Sequence, residues 1–329
     1  MGDAYDVRTI NLWMFNMVFC TIAVSFTAGA VAERIKLIPR LIYSAFFCGI
    51  IYPIFAHWLW ADGWLARLPF GSGGKDFSGS SIVHMVGGAV ALAGAWALGP
   101  RRGRYGPDGK VNSFAEHNML FGIVGTIILQ FGWFGFNPGA TLSGTDLRMS
   151  VICVNTFLAS CSGAVTMFLF SLFYDGKANV RMTCDATVAG MAAITCSCAW
   201  IAPWAAIIVG VVAAFSYMGM RAFVRSTLRI DDPLSSVAIH LAPGAWGVLA
   251  LGIFADGTYG GVSGVITGQF GQLLAQLITA ASAFIWAFGV GCAVMFILKY
   301  TIGLRVPPEV EEVGVDSYFL SHECYPKGE

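Results

Sequence analysis

The sequence predicts an all-α fold, a polytopic membrane helix bundle of about nine transmembrane helices, and three observations carry that prediction. Of 329 residues, 57% are apolar, 14% aromatic and only 12% charged, with a mean hydropathy of +0.70. That leaves too little polar surface to face water. Apolar runs almost free of charge recur at about the 20 residues needed to cross a bilayer. Lys and Arg collect in alternate connections between those runs, as they do beside the cytoplasmic ends of membrane helices.

The first run, near 10–32, stops at Arg34, Lys36 and Arg40, and the second, near 41–60, ends in the aromatic stretch FAHWLWADGW. The third, near 80–98, follows Lys75 and Asp76 and stops at Arg101, Arg102, Arg104 and Lys110. The fourth and fifth, near 118–136 and 149–174, are joined through Arg148 and followed by Lys177 and Arg181. The sixth and seventh, near 184–201 and 203–224, lead to Arg221, Arg225 and Arg229. The eighth, near 235–254, follows Asp231 and Asp232, and the ninth, near 272–302, leads into Arg305 and Lys327. Nine crossings put the termini on opposite sides. Fifteen basic residues on one side against four on the other place the C-terminus in the cytoplasm and the N-terminus outside. The expectation is a multi-pass protein of the plasma membrane, with a transmembrane domain over 1–304 and a cytoplasmic tail over 305–329.

Several classes of function fall away. Formal net charge is zero and no basic patch is large enough to argue for nucleic acid. The start MGDAYDVRTI has no signal-peptide pattern, and Asp6 stands where myristoylation wants Ser or Thr. Of nine cysteines, Cys20, Cys48, Cys153, Cys161, Cys184 and Cys292 fall in or at the ends of spans and read as small packing residues. Cys196 and Cys198 form a pair with no matching pair elsewhere, so neither a metal nor another cofactor is expected.

The chemistry gathers around two histidines. His84 lies eight residues beyond Asp76, and His240 eight beyond Asp232. At about 1.5 Å per helical residue, each ring sits roughly 12 Å into the bilayer. The two segments enter from opposite faces of a core about 30 Å thick, so the rings can meet near the midplane. Ionisable groups at that depth are costly and mark function; the alternative is two separate histidines, each satisfied by a backbone carbonyl. Opposite entry of similar segments is what inverted-topology repeats produce. Trp58, Trp60 and Trp64, and Phe131, Trp133, Phe134 and Phe136, lie at the uncharged ends of spans. They suit an interfacial aromatic belt, and they equally suit a vestibule that holds a small cation on ring faces.

The segments AGAVAERIKL, DFSGSSIVH, FGWFGFNPGA, KANVRMTCDATVAGMAAIT, LRIDDPLSSVAIHLAPGAWG and GLRVPPEVEEVGVDSYFLSHECYP occur in the order seen in the ammonium transporter (Amt/Mep/Rh) family, which this chain resembles over its whole length. The resemblance implies ammonium or ammonia as substrate, methylammonium as analogue, a homotrimer of subunits each with its own pore, and a PII-type regulatory protein at the cytoplasmic face. Trp60 resembles the outer recruitment tryptophan, Phe19 and Phe136 the stacked gate, and Asp76 the acidic residue before the first pore histidine. His84 and His240 match the twin histidines of an apolar pore, and Asn137 the asparagine after the inner gate. Such a pore makes the charged form costly, so bound ammonium gives up its proton more readily. Paired imidazoles then offer donor and acceptor nitrogens to ammonia.

Relative to the family pattern, the usual eleven helices are shortened by the first two, leaving a partial inverted repeat. Ala140 stands where the family has a serine, Pro243 promises a kink beside His240, and Asp185 reads as a cap on the helix after YDGKANVR. A non-conducting ammonium sensor is the alternative to a transporter. Enzyme readings, with His84 and His240 on a haem or a Ser81–His240 hydrolytic pair, are set aside. The tail is expected to dock up to about Asp316 through Val306, Val310, Val313, Tyr318 and Phe319, with Glu309, Glu311 and Glu312 facing basic loops.

Overall fold

The computed structural model describes residues 6–114 and 116–320. Among the described residues nine long helices make the body: α1 Val7–Ala30, α2 Leu37–Trp60, α3 Ser80–Leu98, α4 Met119–Gly139, α5 Met149–Asp175, α6 Val180–Ser197, α7 Pro203–Thr227, α8 Ser236–Phe254 and α9 Phe270–Thr301. Two short turns follow, α10 Pro308–Val313 and α11 Val315–Phe319. Among the described residues there is no β-sheet, only isolated bridges such as Ile35 with Arg305.

Eight of the nine are long and apolar enough to cross a membrane. The exception, α6, carries Arg181 and Asp185, and from Ala186 to Ser197 every residue is buried. A helix sheathed by protein on all sides has no need of the apolar surface that lipid contact demands. Buried α3 and exposed α4 mark the two extremes, with 94% and 6% of their most apolar stretches inside the bundle.

Small residues let the central helices approach closely, as in membrane bundles generally. A Cβ on Gly247 of α8 would overlap the carbonyl of Ala193 on α6, and one on Gly88 of α3 would lie 2.8 Å from the amide of Leu241 on α8. The second contact brings the two histidine-bearing helices together, and the first packs α8 against α6. α8 continues through Pro243 to Phe254.

α6 starts differently from the sequence expectation. The Asn179 side chain accepts from the amide of Met182 at 3.0 Å and caps the helix. Asp185 lies a turn and a half further in, accepts from Tyr217 Oη at 2.7 Å, and faces Arg181 at 3.8 Å. The helix begins four residues earlier than the apolar pattern because its first turn is polar.

At the basic end, Arg34 is fully buried and donates to the carbonyls of Gly99, Ala32, Ala30 and Asp231. Beside it, Asp231 accepts from Arg101 Nε at 2.7 Å and pairs with Arg104 at 3.1 Å. Burial pushes the Asp231 carboxyl up, but Arg101 more than offsets it and holds the group below the usual range.

The tail is held by fewer apolar side chains than expected. Leu304 and Val306 are buried, whereas Val313 and Tyr318 are exposed. Backbone bonds join Lys36 N to Leu304 O and Val306 N to Arg34 O. Arg305 grips Glu311 through both Nε and Nη2, and Glu311 also accepts from the amide of Arg102 at 2.8 Å. Ladder and ion pair, rather than aromatic packing, fix the segment up to Val313; residues 321–329 lie outside the described region.

Candidate functional site

Asp76 and Asp232 build the site's two ends. Asp76 Oδ1 accepts from the amides of Gly79 and Ser80 at 2.8 and 3.0 Å. Its Oδ2 accepts from Ser81 N, Ser81 Oγ and Ile82 N at 2.6, 2.6 and 3.1 Å. Gly79, at φ 113°, supplies the left-handed turn that folds these amides back on the carboxylate. At the other end Asp232 accepts from Ser236, Val237 and Ala238 at 3.0, 2.8 and 3.3 Å. Each carboxylate thus faces the positive end of a helix rather than a cation. Burial pushes Asp232 up to about 6 even with these amides pulling it down, and it likewise raises Asp76.

Eight residues beyond each aspartate, the two imidazoles meet. His84 Nδ1 and His240 Nδ1 are 3.1 Å apart, and the rings are nearly parallel, with centroids 5.1 Å apart. One Nδ1 must carry the shared proton, so the facing nitrogens form a donor–acceptor pair. His84 is fully buried and its Nε2 has no partner among the described residues.

A file of rings leads to this pair. Trp60 donates from Nε1 to the carbonyl of Asp76 at 2.7 Å, and its ring meets Phe19 edge-on at 5.6 Å. Phe19 stacks on Phe136 at 4.2 Å, and Phe136 lies 6.2 Å from His84. The structure therefore brings together Trp60, Phe19, Phe136, His84 and His240 in sequence, from five different helices. Asn137, next to Phe136, is buried and donates from Nδ2 to Thr156 Oγ1 at 2.9 Å.

Sequence reasoning passed over Phe15 and Phe26 and placed Trp133 only among the aromatics at the ends of spans. Trp133 lies flat against His84 at 5.4 Å, Phe26 stacks on His240 at 3.5 Å, and Phe15 lies tilted against Phe19 at 4.3 Å. Spacing could have found them. Phe15, Phe19 and Phe26 recur at i, i+4 and i+11 on α1, and Trp133 precedes Phe136 by three, so each lies on the face of a residue already singled out. Conversely, Trp58 pairs with Trp64 and with Trp286 rather than with the file.

At the basic end a cavity of about 480 Å³ is bounded by Arg181, Asp185, Arg221, Asp232 and Ser235. Among the described residues no cluster of His, Cys, Asp and Glu could hold a metal, and Cys196 and Cys198 are buried free thiols.

A membrane-spanning bundle with a line of aromatic rings running to a buried imidazole pair belongs to the class of multi-pass membrane transport proteins. More specifically, the chain belongs to the ammonium transporter family, whose profile, described as Ammonium Transporter Family, matches residues 3–325. It is 44% identical to ammonium transporter Amt2 of Archaeoglobus fulgidus, an alignment covering 99% of this chain and 72% of that protein. With ammonium transporter 1 member 4 of Arabidopsis thaliana the identity is 36%, over 92% of this chain and 66% of the relative, so the chain spans about two thirds of the plant protein's length. Among solved structures, one described as a sensor Amt protein superposes with a TM-score of 0.87 at 35% identity, covering 93% and 75% of the two chains. Mep2 of Candida albicans superposes at 0.81 and 28%, covering 93% and 70%.

Proposed function

We propose that the protein moves ammonium across the plasma membrane by taking it up at the aromatic mouth, removing a proton, and passing ammonia along the twin histidines. The observation that carries this reading is the pair of imidazoles 3.1 Å apart, with stacked Phe19 and Phe136 beside it. Trp60 and Phe19 recruit the cation on their ring faces, where attraction grows as water is stripped away. Phe19 and Phe136 form the gate. Asp76 supports the mouth by fixing the carbonyl that holds Trp60. Beyond the gate, desolvation disfavours the charged form, and the imidazoles offer ammonia polar partners on the way. Asn137 supports the gate residue beside it. The chain assembles as a homotrimer with its N-terminus outside and its C-terminus in the cytoplasm, where the 305–329 tail is the contact for a PII-type regulator.

The test is uptake of labelled methylammonium by cells that lack their own ammonium carriers. The wild type is expected to support saturable uptake, and His84→Leu with His240→Leu to abolish it while the protein still reaches the membrane. Uptake that survives the double replacement would refute the pore. Binding without uptake by the wild type would assign the chain to sensing instead.

A further inference from the structure

Next to the gate lies a buried hydrogen-bond acceptor with nothing to accept. Asn137 is fully buried, its Nδ2 donates to Thr156 Oγ1 at 2.9 Å, and its Oδ1 has no partner among the described residues. The orientation of the amide is fixed. Thr156 has a single hydroxyl proton, and it goes to the carbonyl of Ile152 at 2.7 Å. Oγ1 can therefore only accept from Asn137, which forces the NH₂ group to that side and leaves the carbonyl oxygen on the other.

A buried acceptor without a donor costs about 1–3 kcal/mol, and such groups are exceptions that call for an explanation. The position supplies one. Asn137 follows Phe136 directly, and Ser78 Oγ lies 3.3 and 3.4 Å from the carbonyls of Phe136 and Asn137. Ser78 in turn is two residues from Asp76, whose carbonyl holds Trp60. The amide thus sits where the gate, the Asp76 leader and the aromatic mouth meet. Asn155 Oδ1 and Ser197 Oγ are also buried and unpaired, but Asn155 donates to the carbonyls of Cys198 and Ile201, and neither residue adjoins the ring file.

We infer that Asn137 Oδ1 is a specificity-determining acceptor for the transported cation, receiving an N–H of ammonium or of a primary alkylammonium as it passes the gate. The inference rests on the transport reading above and deepens it. Aromatic faces attract any small cation, so they separate ammonium from potassium poorly; a directed amide oxygen rewards a ligand that brings its own donors. The Thr156 and Ile152 relay holds that oxygen in place before the cation arrives, which limits the ordering cost of binding.

The experiment compares methylammonium uptake by wild type, Asn137→Leu and Thr156→Val in the same carrier-deficient cells, with uptake scaled to protein in the membrane. A hydrogen bond to a charged group is worth about 1.5–3 kcal/mol, which converts to roughly ten- to hundredfold. Asn137→Leu should therefore raise the half-saturation concentration at least about tenfold, with weaker exclusion of potassium as competitor and the maximal rate nearly kept. Thr156→Val, which removes the anchor but leaves the oxygen, should shift it less than about threefold. An unchanged half-saturation in Asn137→Leu means that the oxygen is served by water alone and overturns the inference. So do equal losses in Asn137→Leu and Thr156→Val, which mark a merely structural amide. Should Asn137→Leu fail to reach the membrane, Asn137→Asp keeps the acceptor and adds charge; it should lower the half-saturation concentration, and a raised or unchanged value overturns the inference. A wild type that neither transports methylammonium nor melts higher in ammonium chloride than in sodium chloride refutes the transport reading itself, whereas normal wild-type uptake with an indifferent Asn137 removes only the inference.

Discussion

Replacing Asp76 by Ala should destabilise the whole helix that carries His84. Four amides, of Gly79, Ser80, Ser81 and Ile82, bond to this one carboxylate, and all four residues are buried. An unpaired buried donor costs about 1–3 kcal/mol. Taking the low end for each, because water can partly follow the side chain out, gives about 4 kcal/mol. At roughly 1–2 °C per kcal/mol for a chain of this size, melting should fall by about 4–8 °C. Asp76→Asn keeps one acceptor oxygen and should lose about half as much, since its NH₂ then faces donors where Oδ2 accepted. Thermal unfolding of the detergent-solubilised protein, read from the loss of its monodisperse peak, measures both. Melting of Asp76→Ala within about 1 °C of wild type would show that the amides are satisfied without the carboxylate and would refute the reasoning.

Two further outcomes are expected at the basic end. Arg101→Gln leaves the fully buried Asp231 with Arg104 as its one cationic side-chain partner and should cost about 2–3 kcal/mol, less than the 3–5 of a fully broken buried pair. Because Arg101 holds the Asp231 carboxyl below its usual 3.8, its stabilisation is present above that value and lost as pH falls through the depressed one. The melting gap between wild type and variant should be full at pH 7 and narrow below about pH 4, and a constant gap would contradict the assignment. Glu311→Ala removes the acceptor for Arg305 and for the amide of Arg102. Hydrogen exchange should quicken over 305–313 while the bundle's melting moves by about 1 kcal/mol or less; unchanged exchange would show that Leu304 and Val306 alone hold the segment.

The bundle was legible in the sequence because a bilayer imposes one length on every crossing. Nine apolar runs correspond to nine long helices among the described residues, and the largest slips fall where polar residues begin a helix. α1 starts at Val7 because Asp6 accepts from the amide of Arg8 and caps it, and α6 starts at Val180 because Asn179 does the same work for Met182. The contact of His84 and His240 followed from two equal spacings and opposite entry. Their sandwiching by Trp133 and Phe26 did not, since an aromatic residue in an apolar run carries no mark of which face it serves. Nor could the tail's mode of attachment be read. Val313 is as apolar as Val306, and the bridge between Ile35 and Arg305 decides which of them is covered.

The equal leads from Asp76 to His84 and from Asp232 to His240 also limit how the gene can change length. Each carboxylate pins its helix at the first turn, so an extra residue inserted after it cannot be absorbed by sliding. It would rotate the following imidazole by about 100° and carry it about 1.5 Å along the axis, enough to part nitrogens that now stand 3.1 Å apart. The geometry therefore favours insertions and deletions in stretches such as 103–112, outside the membrane body, where the chain folds on itself through the Tyr105–Val111 bridge. Within the two leads only substitutions are open to it, and drift in sequence there must proceed at fixed length.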